Sequence, residues 1–230
     1  MEADQGKRRV PHGQIVTQVF PVLSASHTPE IDIQEYRLRI YGEVEKELSL
    51  SWDELMAMPM EKKTVDEHCV TRWSRLGDTW EGIRIRHLLE KASVKDSGHF
   101  LMLRSSYVRY SANVPMEYVN DDCLVAFRFN GKPLEKEHGG PVRALIPTLY
   151  LWKSTKWLDG IEVMKEDKAG FWEKRGYNMR GDYNKEERYW KGMNFVNKLF
   201  FFGQKDDDWA FCLCLLPAKL YLSEKRNSIT

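Results

Sequence analysis

The chain has 230 residues, of which 35 are basic and 34 acidic, so its formal charge is +1 at neutral pH. A hydrophobic fraction of 42% is typical of a globular protein, and the balanced charge argues against a broad nucleic-acid-binding surface, which needs a basic excess. No apolar run approaches the roughly 20 residues that a membrane-spanning helix requires.

The cysteines and the N-terminus limit the class of protein further. The cysteines are Cys69, Cys123, Cys212 and Cys214. They form neither a CxxC pair nor a CxxCH motif, which argues against a zinc ribbon, a thioredoxin-type site and c-type haem attachment. Residues 10–26 are broken by prolines and glutamines and lack the continuous apolar segment of a signal peptide. We therefore expect residues 1–17 to form a polar arm and the protein to be cytoplasmic.

Hydrophobic periodicity and turn signals predict short elements along the chain. Tyr36, Leu38 and Ile40 alternate with more polar residues and predict a strand with one buried face. Ser51 and Glu54 form a capping-box sequence, which predicts a short helix. The predicted strands are 64–71, 99–103, 107–114, 124–129, 143–146 and 157–163, and the predicted helices are 52–58 and 84–92.

The order of these elements predicts the fold class. Many short strands with a few inserted helices indicate an α+β protein with mixed β-sheets, in preference to the alternating units of a doubly wound sheet. Asn130-Gly131 predicts a tight turn after the strand that ends at residue 129. Residues 165–190 are charged and aromatic without clear periodicity, so we expect an extended segment on the domain surface.

Cys69 lies in the polar sequence VDEHCVTRWS. A free cysteine is more often a small buried apolar residue, but nearby cations such as Arg72 favour the thiolate, which is the metal-binding form. His68 and Cys69 are adjacent, so in a strand their side chains point to opposite faces and do not form a zinc pair. Cys69 is therefore a candidate ligand for a soft metal.

Two downstream segments carry groups that suit a phosphate. In His138-Gly-Gly-Pro-Val-Arg143 the glycines permit close approach of the backbone, and the guanidinium matches phosphate oxygens. The segment 154–156, Ser-Thr-Lys, offers hydroxyls and an ammonium. The alternatives are a Gly-Pro turn with a surface arginine, and a solvated lysine pair, Lys153 and Lys156. Because no nucleotide-binding motif is present, the pattern indicates a phosphorylated cofactor that carries a soft metal.

Several ordered blocks resemble the molybdopterin-binding domain of the sulfite oxidase family. They are HCVTRWS, WEGIRIRHLLE, DDCLVAFRFNGKPLEKEHGGPVRALIP and LYLWKSTKWLDGIEV. More narrowly, the chain resembles the small, haem-free prokaryotic members. The resemblance extends over residues 18–195 and leaves 196–230 as a C-terminal tail of unknown role. It implies the sulfite oxidase-type molybdopterin-binding fold.

The resemblance also implies roles for individual residues. Cys69 would be the single protein ligand to molybdenum in a molybdenum-molybdopterin cofactor (Mo-MPT). Tyr177 matches an active-site tyrosine, and Arg72 is a candidate for contacting an anionic substrate. The implied cofactor-binding residues are Leu23, Ser24, Ala25, Ser26, Cys69, Ser105, His138, Arg143, Ser154, Thr155 and Lys156.

The implied activity is two-electron oxygen-atom transfer to or from a small sulfur-containing substrate. An external electron-transfer protein is expected as partner, since no haem, flavin or iron–sulfur motif is present. Two other classes stay open: a metal-free enzyme that uses Cys69 with His68 or His138, and a non-catalytic cofactor-binding or interaction protein on the same fold. An oligomer is also compatible with the sequence.

Overall fold

The computed structural model describes residues 9–190 and contains two mixed β-sheets with short helices. The α-helices are α1 (Trp52–Met56) and α2 (Ile85–Ala92). The strands are β1 (Ile15–Val16), β2 (Arg37–Gly42), β3 (Leu48–Ser51), β4 (Glu61–His68), β5 (Trp73–Arg84), β6 (Phe100–Ser105), β7 (Tyr110–Pro115), β8 (Leu124–Phe129), β9 (Lys132–Pro133), β10 (Arg143–Leu145) and β11 (Gly160–Met164).

The first sheet is organised around β5, which pairs with three other strands. It is antiparallel to β4 and β8 and parallel to β1, where Ile15 lies opposite Trp73. Strand β8 continues the sheet to β10 and to the short β9. The order is therefore β1-β5-β8-β10, with β4 and β9 off this path. This sheet carries the turn after β4 that contains Cys69.

The second sheet has the order β3-β2-β11-β6-β7. Strands β2 and β11 are parallel and the other neighbouring pairs are antiparallel. The alternation of buried Leu38 and Ile40 with exposed Arg37 and Arg39 confirms the one-sided strand that the sequence predicts. Buried side chains of this sheet pack against α2 and against β5, β8 and β10 in one continuous core.

Local chemistry explains where the helices begin and end. The Ser51 hydroxyl accepts a hydrogen bond from the Glu54 amide, and the Glu54 carboxylate accepts one from the Ser51 amide at 2.8 Å. This confirms the predicted capping box. The helix ends at Met56, two residues before the predicted end. Helix α2 ends before Ser93, which adopts the left-handed conformation that commonly follows a helix.

The α+β class and the mixed sheets are confirmed, while some boundaries move. Strand β8 has the predicted limits. The predicted strand 107–114 begins only at Tyr110, because a 3-10 turn, Ser106–Val108, precedes it. The predicted strand 157–163 begins only at Gly160, since Trp157 has a φ of 52° and cannot lie in a strand.

The prediction for residues 165–190 is wrong in one respect. The segment has little regular structure, as expected, but it does not only cover the surface. Trp172, Glu173, Tyr177 and Arg188 are all buried. The sequence pattern misleads here because Glu173 and Arg188 are bonded to turn residues from other parts of the chain, which periodicity does not reveal.

The described part of the predicted N-terminal arm contacts the domain. The Arg9 guanidinium lies 2.7 Å from the Asp66 carboxylate, and β1 adds a parallel strand to β5. The boundary after residue 17 stays a prediction, and the predicted tail, 196–230, lies outside the described residues. Within residues 9–190, no helix is long and apolar enough to cross a membrane.

Candidate functional site

A cavity of about 900 Å³, with part of its open mouth included, lies beside the turn that follows β4. Its walls come from four parts of the chain that are distant in sequence: residues 20–26, the turn at residues 69–73, residues 108–110, and residues 143–177. The predicted site residues that line it are Leu23, Ser24, Ala25, Ser26, Cys69, Arg143, Ser154, Lys156 and Tyr177. The structure therefore brings nine of the predicted residues to one place.

Cys69 directly follows β4 and begins a tight turn. Its amide donates to the Trp73 carbonyl at 2.9 Å, and its carbonyl accepts from the Arg72 amide at 3.0 Å. The sulfur lies 3.1 Å from the Thr71 hydroxyl and the residue is only 7% exposed. The turn thus presents the thiol to the cavity while shielding it from bulk water.

Two cationic side chains lie at the same cavity, one buried and one partly buried. Arg143 in β10 is 2% exposed and donates to the carbonyls of His138 at 2.8 Å and Ser154 at 3.0 Å. The Lys156 ammonium donates to the carbonyls of Leu23 at 2.7 Å and Glu137 at 2.6 Å. Burial, and then the charge of Arg143, lower the pKa of Lys156 to about 7.

Within residues 9–190, no carboxylate oxygen lies within 4.0 Å of the charged nitrogens of Arg143 or Lys156. The buried Glu67 carboxyl is affected by Arg143 from farther away. Burial raises the pKa of Glu67 to about 7, and the charge of Arg143 acts in the opposite direction. Two cations at one cavity without a paired anion, one of them buried, favour an anionic ligand. The alternative of a surface arginine and a solvated lysine pair is wrong, because Arg143 and Lys153 are both buried.

The hydroxyls of the predicted phosphate segment differ in position. Ser154 lines the cavity, but its hydroxyl already accepts a hydrogen bond from the Ile146 amide at 2.9 Å. Thr155 is buried beside the cavity and is not part of its lining, and its hydroxyl has no hydrogen-bond partner in the described structure. Ser24 and Ser26 also line the cavity.

Aromatic side chains form the wall that faces Cys69. The Tyr177 ring packs edge-on against Trp152 at 5.0 Å and stacks on Trp172 at 4.9 Å. The Trp152 indole donates to the Glu173 carboxylate at 2.8 Å. These contacts fix the tyrosine at the cavity and provide an apolar wall that excludes water.

Besides Thr155, three further predicted site residues do not line this cavity. His138 lines a neighbouring cavity, and its ring stacks on Phe20 at 4.2 Å, while burial lowers its pKa to about 4. Ser105 is buried at the end of β6 and does not line the cavity. Arg72 is exposed, with a φ of 73°, and its guanidinium lies over Gly13, where an added Cβ would be 2.8 Å away.

Sequence reasoning missed a buried ionic cluster behind the aromatic wall. We call Lys153, Glu173 and Asn113 the Lys153 cluster. The Lys153 ammonium is fully buried and contacts the Glu173 carboxylate at 2.6 Å, the Asn113 side-chain oxygen at 2.7 Å and the Met179 carbonyl at 2.6 Å. The cluster attaches the segment that carries Tyr177 to β7, and no local pattern in the sequence indicates it.

Among the described residues that line this cavity, Cys69 is the single cysteine, and none is a histidine, aspartate or glutamate. Among residues 9–190, no three histidine, cysteine, aspartate or glutamate side chains converge as a metal-binding group. A metal at this cavity would therefore need most of its ligands from a cofactor. A thiol, two cationic side chains and an aromatic wall together suit a metal that is carried by an anionic organic group.

Comparison with known proteins agrees with this chemistry. Residues 25–172 match the family model described as the oxidoreductase molybdopterin binding domain. The chain is 40% identical over 190 residues to the uncharacterized oxidoreductase YuiH of Bacillus subtilis, with 82% of this chain and 95% of that protein covered.

More distant relatives have named activities. The catalytic subunit MsrP of the protein-methionine-sulfoxide reductase of Campylobacter jejuni is 27% identical, with 70% of this chain and 59% of that protein covered. Human mitochondrial sulfite oxidase is 28% identical, with 65% and 33% covered. This chain thus spans about three fifths of the first and one third of the second.

A solved structure supports the fold. The sulfane dehydrogenase SoxCD of Paracoccus pantotrophus superimposes with a TM-score of 0.55 at 27% identity, over 60% of this chain and 40% of that chain. The mixed sheets therefore form the molybdopterin-binding fold found in sulfite oxidase relatives. With the family model covering residues 25–172, the chain belongs to the oxidoreductase molybdopterin-binding domain family.

Proposed function

We propose that this protein is a Mo-MPT oxidoreductase that transfers an oxygen atom to or from a small sulfite- or sulfoxide-like substrate. The observation that carries the proposal is one cavity lined by the thiol of Cys69, the buried guanidinium of Arg143 and the partly buried ammonium of Lys156. A soft sulfur donor suits a redox metal, and paired cations suit a phosphate. The named activities of the sulfite oxidase and MsrP relatives support a sulfur-containing substrate.

The cavity residues fit the cofactor because neither the buried Arg143 nor the partly buried Lys156 has a paired carboxylate in the described structure. Cys69 would be the protein ligand to molybdenum, while Arg143 and Lys156 would hold the phosphate. When bound, the cofactor would supply a two-electron redox centre. The further proposed cofactor contacts are Leu23, Ser24, Ala25, Ser26, Ser105, His138, Ser154 and Thr155.

The remaining chemistry belongs to side chains at the cavity. Tyr177 would hold a substrate oxygen by a hydrogen bond from its hydroxyl, and the packing against Trp152 and Trp172 keeps its ring in place. The same aromatic wall would exclude water from the reacting atoms. Arg72, outside the cavity, would act by attracting an anionic substrate toward its mouth.

The proposal includes partners and a compartment. A small molecule is the substrate, and an external electron-transfer protein accepts or supplies the electrons. The cytoplasm is the proposed compartment, and the proposal is compatible with an oligomer. Cys123 is a free thiol in the structure, as is usual for proteins of a reducing compartment.

The decisive test is composition followed by a dye-linked assay. Protein purified from a host that makes the cofactor should contain molybdenum and should release a fluorescent pterin after oxidation. It should then reduce or oxidise a dye with at least one substrate among sulfite, sulfoxides and N-oxides. Protein that matures in such a host without molybdenum and pterin would contradict the proposal.

The same measurements separate the two other classes. A metal-free cysteine enzyme would contain no molybdenum and would lose its activity when Cys69 is alkylated. A non-catalytic binding protein would contain the pterin but would fail to turn over any substrate with any dye. We expect neither pattern.

We expect Arg143→Ala to lower the cofactor content of the purified protein. A phosphate that loses a charged hydrogen-bond donor loses about 1.5–3 kcal/mol of binding free energy, which is roughly a 10- to 100-fold weaker retention. Molybdenum per mole of protein, measured after identical dialysis, checks this. The melting temperature should be recorded too, since the carbonyls of His138 and Ser154 also lose their donor.

Arg128→Ala is the matched control for this prediction. Arg128 lies on the neighbouring strand β8, and its side chain is exposed and 3.8 Å from the Glu81 carboxylate. Its removal should leave the molybdenum content unchanged. If Arg143→Ala and Arg128→Ala retain equal amounts of molybdenum, Arg143 does not hold the phosphate.

A further inference from the structure

A buried arginine from the end of the described chain contacts the turn that carries Cys69. The Arg188 guanidinium donates through one nitrogen to the Val70 carbonyl at 2.7 Å. Val70 directly follows Cys69, so this bond holds the turn one residue from the thiol. Arg188 lies 119 positions after Cys69 and outside the residues that the family model matches.

The guanidinium has no counter-charge in the described structure. Arg188 is 8% exposed, and no carboxylate of residues 9–190 lies within 4.0 Å of it. The adjacent carboxylates are bonded elsewhere: Glu186 lies 3.5 Å from His12, and Glu187 lies 2.7 Å from Arg180. A buried cation that lacks a paired anion is costly, unless a ligand supplies the negative charge.

The Arg188 guanidinium also lies over the ring of Tyr150. The central carbon of the Arg188 guanidinium is 4.8 Å from the ring centroid. One guanidinium nitrogen and the Tyr150 hydroxyl are both buried without a hydrogen-bond partner in the described structure. Burial raises the pKa of Tyr150 to about 12, while the charges of Arg188 and of Cys69 act on it in opposite directions. The phenol therefore lies near both the cation and the thiol.

A second side chain holds the same turn from the N-terminal side. The Gln14 amide donates to the Cys69 carbonyl at 3.0 Å. Gln14 is neutral and holds the turn by hydrogen bonding alone, whereas Arg188 adds a charge. The two contacts thus differ in electrostatic charge, which is the property that can change the reduction potential of a nearby metal centre.

We propose that Arg188 is a positioning residue for the Cys69 turn and that its buried charge is the counter-ion of the anionic sulfur-ligated metal centre. The proposal rests on the proposed function. A fixed positive charge beside a metal centre stabilises the reduced state, which carries one negative charge more. Arg188 therefore raises the reduction potential of the centre and does not itself touch the substrate.

Two variants separate the charge from the hydrogen bond. Arg188→Gln keeps an N–H donor for the Val70 carbonyl but removes the charge, and Arg188→Lys keeps the charge but loses the planar fork. Both are compared with the wild type as purified holoprotein, by redox titration of the molybdenum centre with its paramagnetic resonance signal. Molybdenum content and melting temperature are measured on the same samples.

We expect a lower midpoint potential in Arg188→Gln and a potential near that of the wild type in Arg188→Lys. Arg37→Gln is the matched control, since Arg37 also donates to main-chain carbonyls but is exposed on the second sheet. Its potential should equal that of the wild type.

An unchanged potential in Arg188→Gln would overturn the proposal. So would equal shifts in the Gln and Lys variants, which would show that shape and not charge matters. Loss of molybdenum from both variants while their melting temperatures stay normal would also count against a role for the charge. Wild-type protein without molybdenum would instead contradict the proposed function, so the two failures are distinguishable.

Discussion

Cys69→Ser should remove turnover and leave the fold intact. The hydroxyl replaces a soft thiolate by a harder oxygen that does not ionise at neutral pH, so the metal loses its protein ligand in the form that it needs. Loss of a residue that only supports a metal ligand costs about 10- to 100-fold, so we expect a larger loss for the ligand itself. Turnover per mole of protein, molybdenum content and melting temperature check this.

The control for this prediction is the same exchange at the other described cysteine. Cys123 is buried in the core between the two sheets, and burial raises its thiol pKa to about 12. Its thiol donates a hydrogen bond to the Tyr118 carbonyl, and a serine hydroxyl can donate the same bond. Cys123→Ser should keep wild-type turnover. Wild-type turnover in Cys69→Ser would show that the thiol is not a metal ligand.

Lys153→Met should cost about 3–5 kcal/mol of the free energy of unfolding, because it leaves the buried Glu173 carboxylate without its partner. Both side chains are fully buried, and their atoms lie 2.6 Å apart. The carboxylate would keep the Trp152 indole as donor but lose the ammonium. Urea denaturation, monitored by the fluorescence of the tryptophans, measures the change.

A second substitution tests whether the uncompensated charge is the cause. Lys153→Met combined with Glu173→Gln removes both charges, so the double variant should recover part of the loss, and the cycle of single and double variants gives the coupling energy. Lys185→Met is the control, because Lys185 is exposed and water screens its charge beside Asp182 at 3.3 Å, so we expect a much smaller loss. A loss in Lys153→Met no larger than in this control would contradict the structural role.

Local sequence patterns predict the elements that obey local rules. Alternation predicts β2, the capping box predicts the start of α1, and the order of short strands predicts the mixed sheets. The pattern fails where tertiary contacts decide. Residues 107–109 carry strand-like residues but belong largely to a turn, since Arg109 adopts a left-handed conformation before β7 begins.

The site is predictable in part for the same reason. Sequence blocks identify the thiol at position 69 and the cations at positions 143 and 156, and the structure places all three at one cavity. Spacing does not reveal which way a side chain leaves a turn. Arg72 therefore lies over Gly13 and not in the cavity, and His138 lies behind Phe20 in the neighbouring one. The roles of these residues stay predictions.

The contacts that support the site are not visible in the sequence at all. Arg188 reaches the Cys69 turn across more than one hundred residues, and Lys153 reaches Glu173 across twenty. A single sequence does not distinguish a buried lysine from a solvated one. Only the packing of the strands around them shows which charges are paired and which are not.

The residues that form the walls of the cavity are synthesised at different times. Because chains leave the ribosome from the N-terminus, residues 20–26 and Cys69 emerge well before Trp172 and Tyr177. The contact between Glu173 and the buried ammonium of Lys153 then holds the aromatic side in place. The cavity beside Cys69 is therefore complete only after the last of these segments has been synthesised and packed.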